Sequence, residues 1–171
     1  FAHIDTDEEL SQKAQSPRLY LVQGRRYFQD KKYVRAAAQF RQLLKKEKLL
    51  PFDRLAAVNG LASCLTEQHK WEKALSLCEQ SLTAESLQRL PYLIQYRIHE
   101  LRKEWQKAFE ALKQYYDRLS LDSRASFDRQ IDEEKTLVNL ANVALKNGNR
   151  ARATAYFEEL FTFKRDNADR D

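Results

Sequence analysis

An aromatic residue followed three positions later by alanine recurs along this 171-residue chain, at Tyr33/Ala36, Trp71/Ala74 and Trp105/Ala108. Nine residues before the aromatics stand Gly24, Ala62 and Tyr96, and four residues after the alanines stand Phe40, Cys78 and Leu112. Used as a ruler, this spacing finds a fourth copy at Leu137, Ala141, Ala144, Arg150, Ala153, Phe157 and Leu160, with Arg150 in the aromatic's place. Successive alanines lie 38, 34 and 45 residues apart, so a base period of 34 with two insertions accounts for every interval. A repeat of this length constrains the fold more than any single motif. Each unit is one supersecondary element that cannot bury its apolar face alone, and the copies must stack.

The unit reads as two antiparallel helices. Leu19, Tyr20, Tyr27 and Phe28 fall at helical spacing, a polar break follows at Gln29-Asp30-Lys31-Lys32, and Tyr33, Ala36, Ala37, Phe40, Leu43 and Leu44 resume the same period. Small residues at Gly24 and Ala36 let the backbones approach, and Tyr20, Tyr27 and Phe40 fill the space between turns. Punctuation agrees with this partition. Ser16 is placed as an N-cap before Pro17, and Pro51 and Pro91 open later helices, where a missing N–H costs nothing. Thr6 and Glu9 have capping-box spacing for a leading helix over 7–15, and Asn147-Gly148-Asn149 supplies a turn. Leu and Ala together number 43 against 15 for Val, Ile and Thr, which favours helix throughout.

These residues resemble the tetratricopeptide repeat family: a small residue, a bulky one three later, an aromatic nine later, alanine twelve later and a large apolar residue sixteen later. The resemblance covers residues 17–167 and is sharpest at Leu61-Ala62 through Trp71-Glu72-Lys73-Ala74. It weakens where Tyr96 takes the small position and Arg150 the aromatic one, so the third and fourth units are expected to pack less regularly. The resemblance implies an all-α fold, a right-handed α-solenoid of four antiparallel helix pairs. The repeats run over about 17–50, 55–88, 89–122 and 134–167, with 1–16 as a leading helix or linker and 168–171 as a polar tail. The insertion at Lys48-Leu49-Leu50-Pro51 is expected to lengthen the end of one helix, and residues 122–146 to form one long helix.

Composition bounds the function. At 171 residues the chain is one domain by length, with no apolar run of membrane-spanning length and no secretory signal. Its start at Phe1 suggests processing or excision from something longer. Cys64 and Cys78 read as buried reduced thiols, which with the missing signal favours the cytoplasm. The net charge of +5 gathers in residues 17–50, where ten Lys or Arg face Asp30 and Glu47. Arg26, Lys31, Lys32, Arg35, Arg41, Lys45 and Lys46 are expected to form a basic patch suited to solubility or to an acidic partner. Nucleic-acid modules are lacking. The three glycines are too scattered for a phosphate loop, and His3, His69 and His99 are isolated, so no catalytic residue, metal site or cofactor is expected.

Function then rests on the surface the resemblance implies. In that family the first helix of each pair lines a concave groove, and the spacing places Arg18, Arg25, Phe28, Asn59, Ser63, Leu93, Arg97, Asn139, Asn142 and Lys146 along it. Asparagines suit the backbone of an extended peptide, Arg and Lys suit acidic groups, and Phe28 and Leu93 supply apolar pockets. The expectation is a non-catalytic protein-interaction scaffold binding a partner peptide or helix. The alternatives are an accessory repeat region of a larger enzyme such as a glycosyltransferase, or the peptide-sensing domain of a transcriptional regulator. Capture of a chaperone's terminal carboxylate is disfavoured, because of the positions that would hold it (Leu21, Arg25, Gly60, Leu90 and Ile94) only Arg25 has the right charge. Tyr156, Phe161 and Phe163 exceed what the preceding helix can cover, so an apolar C-terminal face is expected, open to further repeats, a partner or a second copy.

Overall fold

The computed structural model describes residues 16–119 and 126–168, and the helix expected over 7–15 lies outside them. Among the described residues there are eight helices and no strand: α1 (Pro17–Gln29), α2 (Tyr33–Leu44), α3 (Pro51–Glu67), α4 (Trp71–Ala84), α5 (Leu90–Leu101), α6 (Trp105–Asp117), α7 (Ser126–Lys146) and α8 (Arg150–Ala168). Pro17 and Pro51 are the first residues of α1 and α3, and Pro91 is the second residue of α5. Each sits in a first turn where no intrahelical N–H bond is lost. Ser16 occupies the N-cap position, but its hydroxyl makes no capping bond, and the Leu19 N–H donates to the Ser16 carbonyl at 2.9 Å. The insertion after the first pair does not extend α2. That helix ends at Leu44, residues 45–50 form a connection, and Leu50 is extended with ψ 144° as its following proline requires.

The four turns within the pairs share one geometry. Lys31, His69, Lys103 and Gly148, each two residues before the start of the second helix, have φ of 59°, 58°, 59° and 77°. In the first turn the Lys32 N–H donates to the Tyr27 carbonyl at 2.8 Å and the Lys31 N–H to the Phe28 carbonyl at 2.9 Å. The same two bonds recur as Lys70 to Leu65 and His69 to Thr66, as Glu104 to His99 and Lys103 to Glu100, and as Asn149 to Ala144 and Gly148 to Leu145. These are Schellman caps, in which a left-handed residue turns the chain back and satisfies carbonyls that the helix end leaves open.

The chain divides into two units, residues 1–81 and 82–171, with the division inside α4. In the first unit α1, α2 and α3 pack on one another around Tyr20, Leu21, Ala36, Ala37, Phe40, Leu43, Ala57, Leu61 and Ala62. Gly24 on α1 and Gly60 on α3 both border the ring of Phe40 on α2, where an added Cβ would come within 2.6 Å of ring atoms in either case. The close approach read from Gly24 is therefore made, and Gly60 shares it. In the second unit α5 packs on α6, α6 on α7, and α7 on α8, around Tyr96, Ala108, Phe109, Leu112, Tyr115, Leu140, Ala144 and Ala153. The repeat alanines Ala36, Ala74, Ala108 and Ala153 are all buried. Tyr96 is accommodated in the small-residue position. Its ring joins the core, and its hydroxyl donates to the Glu100 carboxylate at 2.9 Å.

Candidate functional site

In the first unit the expected site residues divide by burial. Arg18 and Arg25 stand exposed on α1 with Val22 between them, while Leu21 on the same helix belongs to the core. Phe28 is half-buried and meets Tyr33 edge-to-face at 5.3 Å between centroids, so it closes the turn between α1 and α2. Asn59 is 4 % exposed, which removes it from the surface where the spacing put it. Buried residues run almost continuously around α3 from Ala57 to Thr66, Asn59 among them, so this stretch of the helix keeps no wide exposed face. Ser63 is half-buried, with its hydroxyl donating to the Asn59 carbonyl at 3.0 Å.

The basic residues of this unit form two groups. Arg26, Lys31, Lys32 and Arg35 surround the turn between α1 and α2, with Lys32 paired to Asp30 at 3.3 Å. Arg41, Lys45 and Lys46 lie at the other end of α2, and Lys46 reaches the Tyr20 ring at 5.1 Å, near the start of α1. At a rise of about 1.5 Å per residue, Arg35 and Arg41 are about 9 Å apart along the axis, and Lys31 and Lys45 further still. Sequence order put these charges together, and the antiparallel hairpin sends them to opposite ends.

In the second unit the first helices carry clear stripes. On α7, Lys135, Asn142, Leu145 and Lys146 are exposed and Val138 and Asn139 half-buried, while Leu137, Leu140, Ala141, Val143 and Ala144 turn inward. On α5, Leu90 and Arg97 are exposed and Leu93 half-buried, while Ile94, Tyr96 and Ile98 are buried. This separation follows from helical period, since residues three, four and seven apart share a face. Arg97 pairs with Glu100 at 3.0 Å, and Lys146 places its ammonium 4.6 Å from the centroid of Trp105. Both cations remain at the surface, where such pairs exchange readily with water or a ligand.

Other polar chemistry is bound up in the scaffold. His99 Nδ1 lies 2.6 Å from the Glu104 carboxylate at the turn between α5 and α6, and Arg102 reaches the same carboxylate at 3.0 Å. The His99 hydrogen bond, the Arg102 and Lys107 charges and the imidazole hold Glu104 below the ordinary carboxylate range, against a smaller desolvation effect. Burial pushes the Cys64 and Cys78 thiols up to about 12. At that value neither is a thiolate at neutral pH. Among the described residues no group of three or more His, Cys, Asp or Glu is placed to hold a metal ion, and no helix is long and apolar enough to cross a membrane.

At the C-terminal end, α8 separates the aromatics. Tyr156 packs on Phe109 with centroids 6.0 Å apart, Phe163 is half-buried, and Phe161 is 70 % exposed. Phe157, the counterpart of buried Phe40, is also exposed. Phe40 is covered by Gly60 of the following pair, whereas no further pair follows α8 within these residues.

Residues 92–171 match the family model described as anaphase-promoting complex subunit 5, a stretch just short of half the chain. No curated protein matches the chain. Among solved structures, MamA from Desulfovibrio magneticus RS-1, residue 41 to its end, aligns with a TM-score of 0.69 and 17 % identity, covering 93 % of this chain and 81 % of that one. A putative kinesin light chain from Podosopora anserina, described by its nearly identical TPR-like repeats, aligns with a TM-score of 0.66 and 19 % identity, covering 96 % and 78 %. At these identities the likeness is one of fold.

Proposed function

We propose that this chain, whose fold is that of the tetratricopeptide-repeat proteins, is a non-catalytic protein-interaction scaffold holding a partner's extended peptide or helix against the first helices of its pairs. The observation that carries this reading is the exposed stripe of α7, where Asn142 and Lys146 face outward from a helix whose opposite side is core. An asparagine amide donates and accepts, so Asn139 and Asn142 can pair with a peptide backbone irrespective of its side chains. Arg97 and Lys146 add charge-assisted bonds to acidic groups, and the half-buried Leu93 offers an apolar contact. On α1, Arg18 and Arg25 repeat the cationic part of this pattern in the first unit.

Quantitative pull-down of wild type against Arg97→Ala/Asn142→Ala tests the reading. The double variant removes two exposed polar side chains and leaves the core alone, so its melting temperature is expected to match wild type. Loss of bound partners at unchanged stability supports the stripe as the binding face. Full retention of every partner by a folded double variant would remove the proposal.

A further inference from the structure

The connection between α2 and α3 carries a feature that the groove reading does not use. Leu50 and Phe52, one residue apart across Pro51, are 69 % and 75 % exposed. Burying side chains of this size is favourable, so a pair left in water at one loop is an unmet opportunity for contact. Lys45, Lys48 and Arg54 are exposed beside them in sequence, and Lys46 is drawn back over the Tyr20 ring at 5.1 Å, which ties the connection to α1. The surface thus combines an apolar tip with a cationic surround at the connection between two packed helices.

We infer that the α2–α3 connection is a docking surface for an acidic segment of a partner protein, one that carries an apolar anchor for Leu50 and Phe52 and carboxylates for Lys45, Lys48 and Arg54. The inference rests on the scaffold reading but uses a separate surface. Charge complementarity selects the occupant. Around this connection five cations, Arg41, Lys45, Lys46, Lys48 and Arg54, stand against two acids, Glu47 and Asp53, so the approaching chain is acidic. An anionic bilayer fits less well. Glu47 and Asp53 alternate with the cations at the tip, where a bilayer would have to take them in along with Leu50 and Phe52. Two apolar side chains are also a small anchor for an interfacial site. A peptide can set its carboxylates opposite single cations and avoid both acids.

Fluorescence anisotropy on the full chain tests the inference, using a short labelled peptide in which glutamates flank a leucine–phenylalanine pair, with phosphatidylserine–phosphatidylcholine vesicles as a parallel probe. Wild type is expected to bind the peptide with an affinity that falls as salt rises. Leu50→Ser/Phe52→Ser and, separately, Lys45→Glu/Lys48→Glu are expected to weaken binding by about tenfold or more, and Glu110→Ala, on the exposed face of α6, to leave it unchanged. Undiminished binding by either of the first two variants would overturn the inference, as would no peptide binding or capture by vesicles alone. Loss confined to Arg97→Ala/Asn142→Ala would also overturn it, and would place the peptide on the α5 and α7 stripes instead.

Discussion

Among the described residues, three with side chains occupy a conformation that suits glycine. Lys31, His69 and Lys103 sit at φ near 59°, at the position that Gly148 fills in the last pair. A left-handed residue with a Cβ costs roughly 1–2 kcal/mol, while glycine in its place gives back part of that gain as unfolded-state entropy. Lys103→Gly is therefore expected to stabilise the protein by roughly 0.5–1 kcal/mol in urea unfolding. Gly148→Ala is expected to destabilise it by roughly 1 kcal/mol, although nothing lies within 4 Å of the added Cβ. Equal stability of both variants with wild type would contradict the capping account. The thiols make a second test at this scale. With Cys64 and Cys78 buried and pushed up to about 12, both are expected to resist maleimide in the native protein and to react on unfolding. Rapid labelling of native protein at either position would show that the packing of α3 or α4 is wrong.

Between elements, the contact of α1, α2 and α3 turns on one ring. Gly24 and Gly60 both border the Cε1–Cζ edge of Phe40, so a methyl group on either glycine overpacks the same site. Gly60→Ala is expected to cost roughly 1–3 kcal/mol. In combination with Phe40→Leu the costs should fall short of their sum, because the smaller side chain vacates the space the methyl needs. Strict additivity in that cycle would contradict a shared site. The turn between α5 and α6 has its own signature. Glu104 is held below its ordinary value of 4.5, chiefly by the bond to His99, so its folded pKa lies under its unfolded one. Its contribution is present above the ordinary value and is lost as pH falls through the depressed folded value. Glu104→Gln is expected to lower the urea midpoint at neutral pH, with the difference from wild type shrinking under acid conditions. A difference that stays constant or grows in acid would refute that role. The prolines and the aromatic–alanine pairs made the helix starts and the buried register legible in the sequence, because both reflect local backbone and packing rules. The left-handed Lys31, His69 and Lys103 were not legible, since composition marks such turns only where glycine or asparagine fills them. The recurrence of the turn two residues before each second helix was the available signal.

Over the whole chain, the same ruler located scaffold well and surface unevenly. It placed Ala36, Ala74, Ala108 and Ala153 in the interior, where they are found. It also put Asn59 on a binding face, whereas that residue is buried, and grouped cations that the first hairpin separates. Such errors share a cause, because a single-helix register cannot say which flank the next helix will cover. The α7 stripe escapes this difficulty, as one face of that helix is core and the other exposed. The reading of the protein as a scaffold accordingly stands or falls on that stripe. A photo-crosslinking residue at position 142, compared with one at the exposed Glu110 on α6, measures it directly in the presence of cell extract. The account predicts a discrete partner crosslinked from position 142 and little from position 110. Equal or stronger crosslinking from position 110 would contradict it.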